Sequence, residues 1–210
     1  MFINTSTNEY PVSEHSIRLQ HLNTSFTEEF SPPTPFKRVS ATVHSEKFNN
    51  VTHILEQSTP ECINGEYFQT WRAVAKYKTK EEEDAAITEH LKSTVESKLL
   101  EINSMREKAN YDSFTYNGKQ VSCSALSRSD IDGVTSYVAL FNSFPAGFPH
   151  KWKCIDNTFI PIETVDDWKS FVSAMAEQGT KNFLHSQYLK QLVAGCTTAE
   201  EVESVTWDTK

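Results

Sequence analysis

The stretch INGEYFQTWRAVAKYKTKEEEDAAI, residues 63–87, changes character halfway. Its first half alternates aromatic and polar side chains behind Asn64-Gly65, a pair favoured in two-residue hairpin turns because both residues tolerate positive φ. With HILEQ at 53–57 before it, this half reads as a β-hairpin whose second strand runs through Trp71. The second half opens with Thr79-Lys80-Glu81-Glu82, a capping box in which Thr79 accepts from the third backbone N–H and Glu82 reaches back. Four consecutive acids, Glu81 to Asp84, then sit where the positive end of a helix favours anions. From there to about Asn110 there is no Pro and no Gly, and Ile87, Leu91, Val95, Leu99, Ile102, Met105 and Ala109 recur at steps of three and four. Glu89, Lys92, Glu96, Lys98, Glu101, Arg106 and Glu107 occupy the other face. The pattern predicts an amphipathic helix of roughly thirty residues, about 45 Å long. Such a length implies either a seam between helices of different copies or a spine joining two domains.

Working back from the hairpin, residues 1–78 read as a β-rich module. FINTSTNEYPV begins like a short strand, and Asn8 and Pro11 then mark a turn. SIRLQHL, 16–22, alternates Ile17 and Leu19 with Arg18 and Gln20, a half-buried strand pattern. SPPTP at 31–35 is a stiff extended connector, and FKRVSATV, through Val43, alternates again.

Working forward, residues 111–210 read as an α+β module. FTYNGKQVSCS repeats the Asn-Gly signal at Asn117-Gly118, and KWKCIDNTFIPI at 151–162 is a second hairpin turning at Asp156-Asn157. Between them SRSDIDGVTSYVALFNSF reads as a helix capped by Ser129 or Asp130, with Tyr137, Leu140 and Phe141 on its apolar side. Thr164-Val165-Asp166-Asp167 opens a long helix to about Val193, carrying Trp168, Phe171, Val172, Met175, Phe183, Leu184, Tyr188, Leu189 and Leu192. Gly179 is placed to kink it, Gly195 stops it, and Thr198 caps a last short helix ending near Trp207. The fold class expected is therefore α+β: a small N-terminal β-rich module (1–78), a long amphipathic helix (79–110) and a C-terminal helical module with short β-hairpins (111–210).

Composition narrows the function. The formal net charge of −8 argues against nucleic acid, whose binding is mostly cationic neutralisation of phosphate. No apolar run reaches the length of a membrane span, and MFINTSTNEYPV has neither the basic nor the apolar region of a secretory signal. Cys62, Cys123, Cys154 and Cys196 form no close pair, which points to free thiols rather than a zinc site, in keeping with a reducing cytoplasm.

Catalytic signatures are sparse. Seven histidines show no HxH or HExxH spacing, and those of the β-rich part, His15, His21, His44 and His53, read as surface or packing residues. Asp130-Ile131-Asp132-Gly133 begins like a calcium loop, but the ligand series does not continue. There is no GxGxxG, GxxxxGK[ST] or GxSxG, and the acid pairs Glu28-Glu29 and Asp166-Asp167 fall at loop or helix starts, where acids serve as caps. No catalytic, cofactor or metal residue is therefore expected. Trp71, Trp152, Trp168 and Trp207 either fill a small core or anchor a protein interface, where Trp often dominates the binding energy. The interface candidates are these four together with Leu91, Val95, Leu99 and Ile102.

INGEYFQTWRAVAKYKTKEEEDA, with its hairpin, its QTWRAV strand and its Thr-led helix start, resembles a pattern in bacteriophage tail-fibre-region proteins, as do FINTSTNEYPVSEHSIRLQH and FSPPTPFKRV. From about residue 95 to 207 the chain resembles an uncharacterised domain found in phage tail and tail-fibre assembly proteins, through HKWKCIDNTFIPI, DDWKSFVSAM and TTAEEVESVTW. The resemblance implies a non-enzymatic virion tail protein, structural or adaptor, associated with the tail fibre or baseplate. It also admits an assembly chaperone that holds the fibre in the host cytoplasm while the fibre trimerises. Because phage fibres are commonly trimers, a homo-oligomer, a trimer in particular, would suit either role. A small envelope-degrading hydrolase is the rival class, and no residue spacing supports it.

Overall fold

The computed structural model describes residues 1–26, 29–42 and 47–210; the expectations placed on Glu28, Val43 and His44 fall outside these. The chain is α+β and divides into two compact units, 1–88 and 89–210, with the division inside the long helix.

The N-terminal unit is a five-stranded sheet of order β2-β1-β3-β5-β4, formed by β1 (Phe2–Asn4), β2 (Glu9–Val12), β3 (Phe36–Ser40), β4 (His53–Ile63) and β5 (Glu66–Ala75). Asn64 (φ 53°) and Gly65 (φ 86°) make the tight turn between β4 and β5, as the Asn-Gly pair predicts. β3 lies antiparallel to β1 at its start and parallel to β5 at its end, so one short strand serves both halves of the sheet. Its buried residues are Phe36 and Val39, three apart, rather than the strict alternation read from the sequence.

The segment around Ile17 corrects the sequence reading, because it is a helix, α1 (Glu14–Gln20). Ser13 caps it by accepting from the Ser16 N–H at 3.0 Å, and Glu14 pairs with Arg18 one turn on at 2.7 Å. Ile17 is fully buried while Leu19 is 57% exposed, which a strand would have placed on one face. The core here is Phe2, Val12, Ile17, Phe30 and Phe36. The Arg18 guanidinium lies over the Phe26 and Phe30 rings, at 4.8 Å and 4.9 Å, and closes one side of that core.

The long helix α2 (Lys80–Asp112) starts with the expected capping box: the Glu82 N–H donates to Thr79 Oγ1 at 3.2 Å, and Glu82 Oε2 accepts from the Thr79 N–H at 3.3 Å. The C-terminal unit continues with the hairpin β6 (Ser113–Tyr116) and β7 (Lys119–Ser122), then α3 (Ala125–Phe141). The hairpin β8 (Lys151–Lys153) and β9 (Phe159–Pro161), α4 (Val165–Gly195) and α5 (Ala199–Ser204) complete it. Gly179 leaves α4 continuous, and α3 is capped by Ser124 rather than by Ser129 or Asp130, which lie inside it. Two cores share α4. Trp168, Phe171 and Met175 of its first half pack with Phe114, Val121, Ile131 and Val138. Leu189 and Val193 of its last turns pack with Ile102, Val202 and Val205.

Polar contacts fix how these helices meet. Asn182 on α4 is buried and donates to Asn110 Oδ1 on α2 at 2.9 Å, while Gln178 donates to Asn182 Oδ1 at 3.0 Å. Lys98, assigned by periodicity to a solvated face, is instead buried; its Nζ lies 2.8 Å from Glu101 and donates to the Glu203 carbonyl of α5 at 3.5 Å.

The caps of α4 and α5 make stability depend on acid. Asp167 accepts from the Thr164 N–H at 2.8 Å, from the Thr164 hydroxyl at 2.9 Å and from the Glu163 N–H at 3.1 Å. Glu201 repeats the arrangement with the Thr197 N–H at 2.7 Å, the Thr197 hydroxyl at 3.0 Å and the Thr198 N–H at 3.2 Å. These bonds, led by the Thr164 and Thr197 backbone N–H groups respectively, hold both carboxyls below their ordinary values of 3.8 and 4.5. A group with a depressed folded pKa stabilises the fold above its unfolded pKa and loses that contribution as pH falls through the folded pKa. The urea midpoint should therefore fall as pH drops below the ordinary carboxylate range. Asp167→Asn and Glu201→Gln should lower the midpoint at neutral pH and flatten its acid dependence; an unchanged acid slope in the double variant would contradict this account of the caps.

Candidate functional site

The C-terminal unit carries an aromatic groove beside an exposed helix side on which several large apolar residues reach the surface. The helix is α3. Ile131 and Val138 point into the core, with Val134 packed beside them. At 3.6 residues per turn, the opposite side of the helix holds Leu126, Gly133 and Leu140, flanked by Ser129, Asp130, Ser136 and Tyr137. Leu126 is 74% exposed, Leu140 78% and Phe141 61%. Leu126 and Leu140 lie fourteen residues apart on this side, with Gly133 and the polar Ser129, Asp130 and Ser136 between them, while Phe141 adds apolar area at the C-terminal end of the helix.

Beside that face runs an open groove of about 520 Å³, lined by Ser129, Asp130, Gly133, Val134 and Tyr137 of α3 and by Pro145, Phe148, Pro149 and Trp152. A second recess of about 500 Å³ shares Asp130, Pro149 and Trp152 with it and extends to Lys151, Lys153 and Phe159. The aromatic wall is packed ring against ring. Phe144 and Phe148 stack at 4.3 Å, and the Trp168 ring meets Phe148 at 5.8 Å and Trp152 at 5.4 Å. Trp168 is anchored in turn by its indole N–H, which donates to Thr135 Oγ1 at 3.1 Å. Chemically the groove offers apolar and aromatic area, with Asp130 on the helix side and Lys151 and Lys153 on the hairpin side: the makings of a binding surface.

The residues singled out from sequence are placed as follows. Trp168 is 1% exposed and lies in the core, so it supports the groove wall from behind and offers no surface of its own. Trp152 is half-buried at the groove. Trp71 is half-buried on β5, its indole N–H donating to the Thr42 carbonyl at 3.4 Å. Trp207 packs on the Ile102 core, and its carbonyl lies 2.7 Å from His185 Nε2. Leu91, Val95, Leu99 and Ile102 also pack into that core, against residues of α4 and α5, so the stripe read as a seam between copies is occupied within the chain. Of the residues assigned to the packed side of α3, Leu140 and Phe141 are exposed, while Tyr137 is half-buried at the groove. Leu126 was not singled out, and Gly133 was considered only as part of the calcium-loop-like start at Asp130. The stripe left unread was the buried one, Ile131 with Val138, although its spacing of seven is also helical.

All four cysteines are free: Cys123 and Cys154 are buried, Cys196 is half-buried and Cys62 exposed. Among the described residues no group of three His, Cys, Asp or Glu is placed to hold a metal, and no helix is long and apolar enough to cross a membrane.

No curated protein and no solved structure matches this chain. One family model does, over residues 93–206, from near the middle of α2 to just past α5; it contains the whole groove and the buried residues of both cores of the C-terminal unit. That match spans more than half of the sequence, and the chain belongs to the family described as "Domain of unknown function (DUF4376)".

Proposed function

We propose that this protein is a non-enzymatic adaptor of a bacteriophage tail, attached to the tail fibre or the baseplate. The observation that carries the reading is the aromatic groove beside α3, next to which Leu140 and Phe141 are exposed, a surface whose chemistry suits protein docking. The direction toward a phage tail comes from the sequence resemblance, which covers both the hairpin–helix stretch of the first unit and the helical second unit. Two units with separate cores suit a two-ended adaptor. One end holds a fibre or baseplate protein, and the other holds a further copy of this chain or another tail part.

The purified protein should bind a purified tail-fibre or baseplate protein encoded in the same phage genome, measured by calorimetry. Burial of apolar surface should give the binding a negative heat-capacity change. Failure to bind any of those proteins, by a chain shown to be folded, would overturn the reading. Cleavage of host cell wall or surface polysaccharide by the pure protein would replace it with a hydrolase.

A further inference from the structure

We infer that the β8–β9 hairpin accepts a further strand: an extended partner segment, with two acids flanking an apolar residue, pairs with the open edge of β8 and sets its carboxylates on Lys151 and Lys153. The inference deepens the adaptor reading by stating the chemistry of what one end holds, and it rests on that reading only for the identity of the partner.

The open edge is the first observation. The hairpin is a sheet of two strands, so each strand has one unpaired side. The Ile162 N–H donates to the His150 carbonyl at 3.0 Å, and the Cys154 N–H to the Thr158 carbonyl at 2.8 Å. Bonded pairs alternate with unbonded ones in an antiparallel ladder, so Trp152 bonds to Ile160, while Lys151 and Lys153 turn their N–H and C=O groups outward. On β9 the outward residues are Phe159 and Pro161, and Pro161 has no N–H to offer. One edge is blunted and the other is not. The edge of β8 borders the recess of about 500 Å³, which Lys151, Trp152, Lys153 and Cys154 all line. Only the edge of a strand presents such a consecutive run, because successive side chains leave on opposite faces.

The second observation is charge. The chain carries a net charge of −8, yet β8 holds two lysines around one tryptophan. Both lysines are exposed, and among the described residues neither has an ion pair; the Lys151 ammonium lies instead over the Phe159 ring at 4.6 Å.

These features select the occupant. The outward backbone groups alternate donor and acceptor, which another peptide strand matches; a phosphate accepts but has nothing to give the two carbonyls. Residues two apart on a strand share a face about 6.7 Å from each other, so acids at that spacing meet Lys151 and Lys153 together. The residue between them turns to the side of the half-buried Trp152 and is apolar, since Asp130 lines the same recess and repels a third acid. Lysines on an edge also reject apolar and basic strands, so the two side chains that guard β8 against indiscriminate pairing favour an acidic one.

The test is fluorescence anisotropy of the full chain with a short labelled peptide centred on Glu-Leu-Glu. It should bind with a dissociation constant of about 100 μM or tighter, and more weakly as salt rises. A Gln-Leu-Gln peptide should bind at least about tenfold more weakly, and so should a Glu-Leu-Glu peptide whose central backbone nitrogens are methylated. Lys151→Glu combined with Lys153→Glu, at exposed positions, should lose the Glu-Leu-Glu peptide and bind Lys-Leu-Lys instead. In amide hydrogen exchange the Lys151 and Lys153 N–H groups should gain protection on peptide binding, while that of Trp152 is protected with and without peptide. Absence of binding to the folded parent chain would overturn the inference. So would binding that backbone methylation does not weaken, since charge alone would then hold the peptide, or a short oligonucleotide that binds in the peptide's place. None of these measurements uses a tail protein, so their failure leaves the adaptor reading standing, and failure of that reading leaves the peptide result standing.

Discussion

Trp168→Ala should lower the stability of the C-terminal unit by about 3–5 kcal/mol, the range for truncating a buried Trp or Phe. Trp168 is 1% exposed and touches both sides of the site. Its ring packs against Phe148 and Trp152 of the groove wall and against Phe171 at 5.3 Å in the core, and its N–H satisfies Thr135 of α3. Truncation leaves a large cavity and removes the one hydrogen bond of the indole N–H. The groove wall should loosen with it, so the near-ultraviolet circular dichroism from Trp152 should fade at temperatures where the far-ultraviolet signal persists. Trp168→Phe keeps most of the volume but loses the bond to Thr135, and should cost clearly less than the Ala variant. A loss below about 1 kcal/mol for Trp168→Ala would mean that the aromatic cluster does not hold the unit together.

Ile17→Ala should cost about 2–5 kcal/mol, whereas Leu19→Ala, two residues on, should stay within about 0.5 kcal/mol of the parent. The contrast separates helix from strand. On a strand Ile17 and Leu19 share a face and similar burial; on α1 they lie about 200° apart, and only Ile17 reaches Phe2, Val12, Phe30 and Phe36. Urea unfolding of the two variants decides the matter. Equal losses would return residues 16–22 to the half-buried strand that their alternation suggests.

That segment shows why parts of the fold were legible and others were not. The hairpins at Asn64-Gly65 and Asn117-Gly118, and the helix starts at Thr79, Thr164 and Thr198, could be read because each signal is complete within a few residues. In α1 only two apolar residues occur, Ile17 and Leu19, and their spacing of two matches a strand face, while the helix buries only one of them and so leaves no apolar period of 3.6 to be read. The deciding residue was Ser13, an N-cap just outside the stretch considered.

Which stripe of a helix is buried depends on partners far along the chain. α3 carries two stripes at helical spacing, Ile131 with Val138 and Leu126 with Leu140, and nothing local says which one meets the core. The same holds for Leu91, Val95 and Leu99. Their periodicity suits a coiled-coil seam as well as the contacts they make with the Leu189, Val193 and Val202 core. Lys98, drawn to the charged face by its type, is buried because α5 returns over α2, which only the tertiary fold reveals. The exposed side of α3 could not be read for a related reason: an exposed Leu and a buried Leu are spelled the same.

The adaptor account, which proposes that a phage encodes this chain, is tested most directly by quantitative mass spectrometry of purified particles of such a phage. The account predicts the protein in every preparation, at a fixed copy number that is a simple multiple of the symmetry of the fibre or baseplate. Absence from particles, with abundance in infected cells, would contradict a tail component and make the protein a helper of fibre assembly instead.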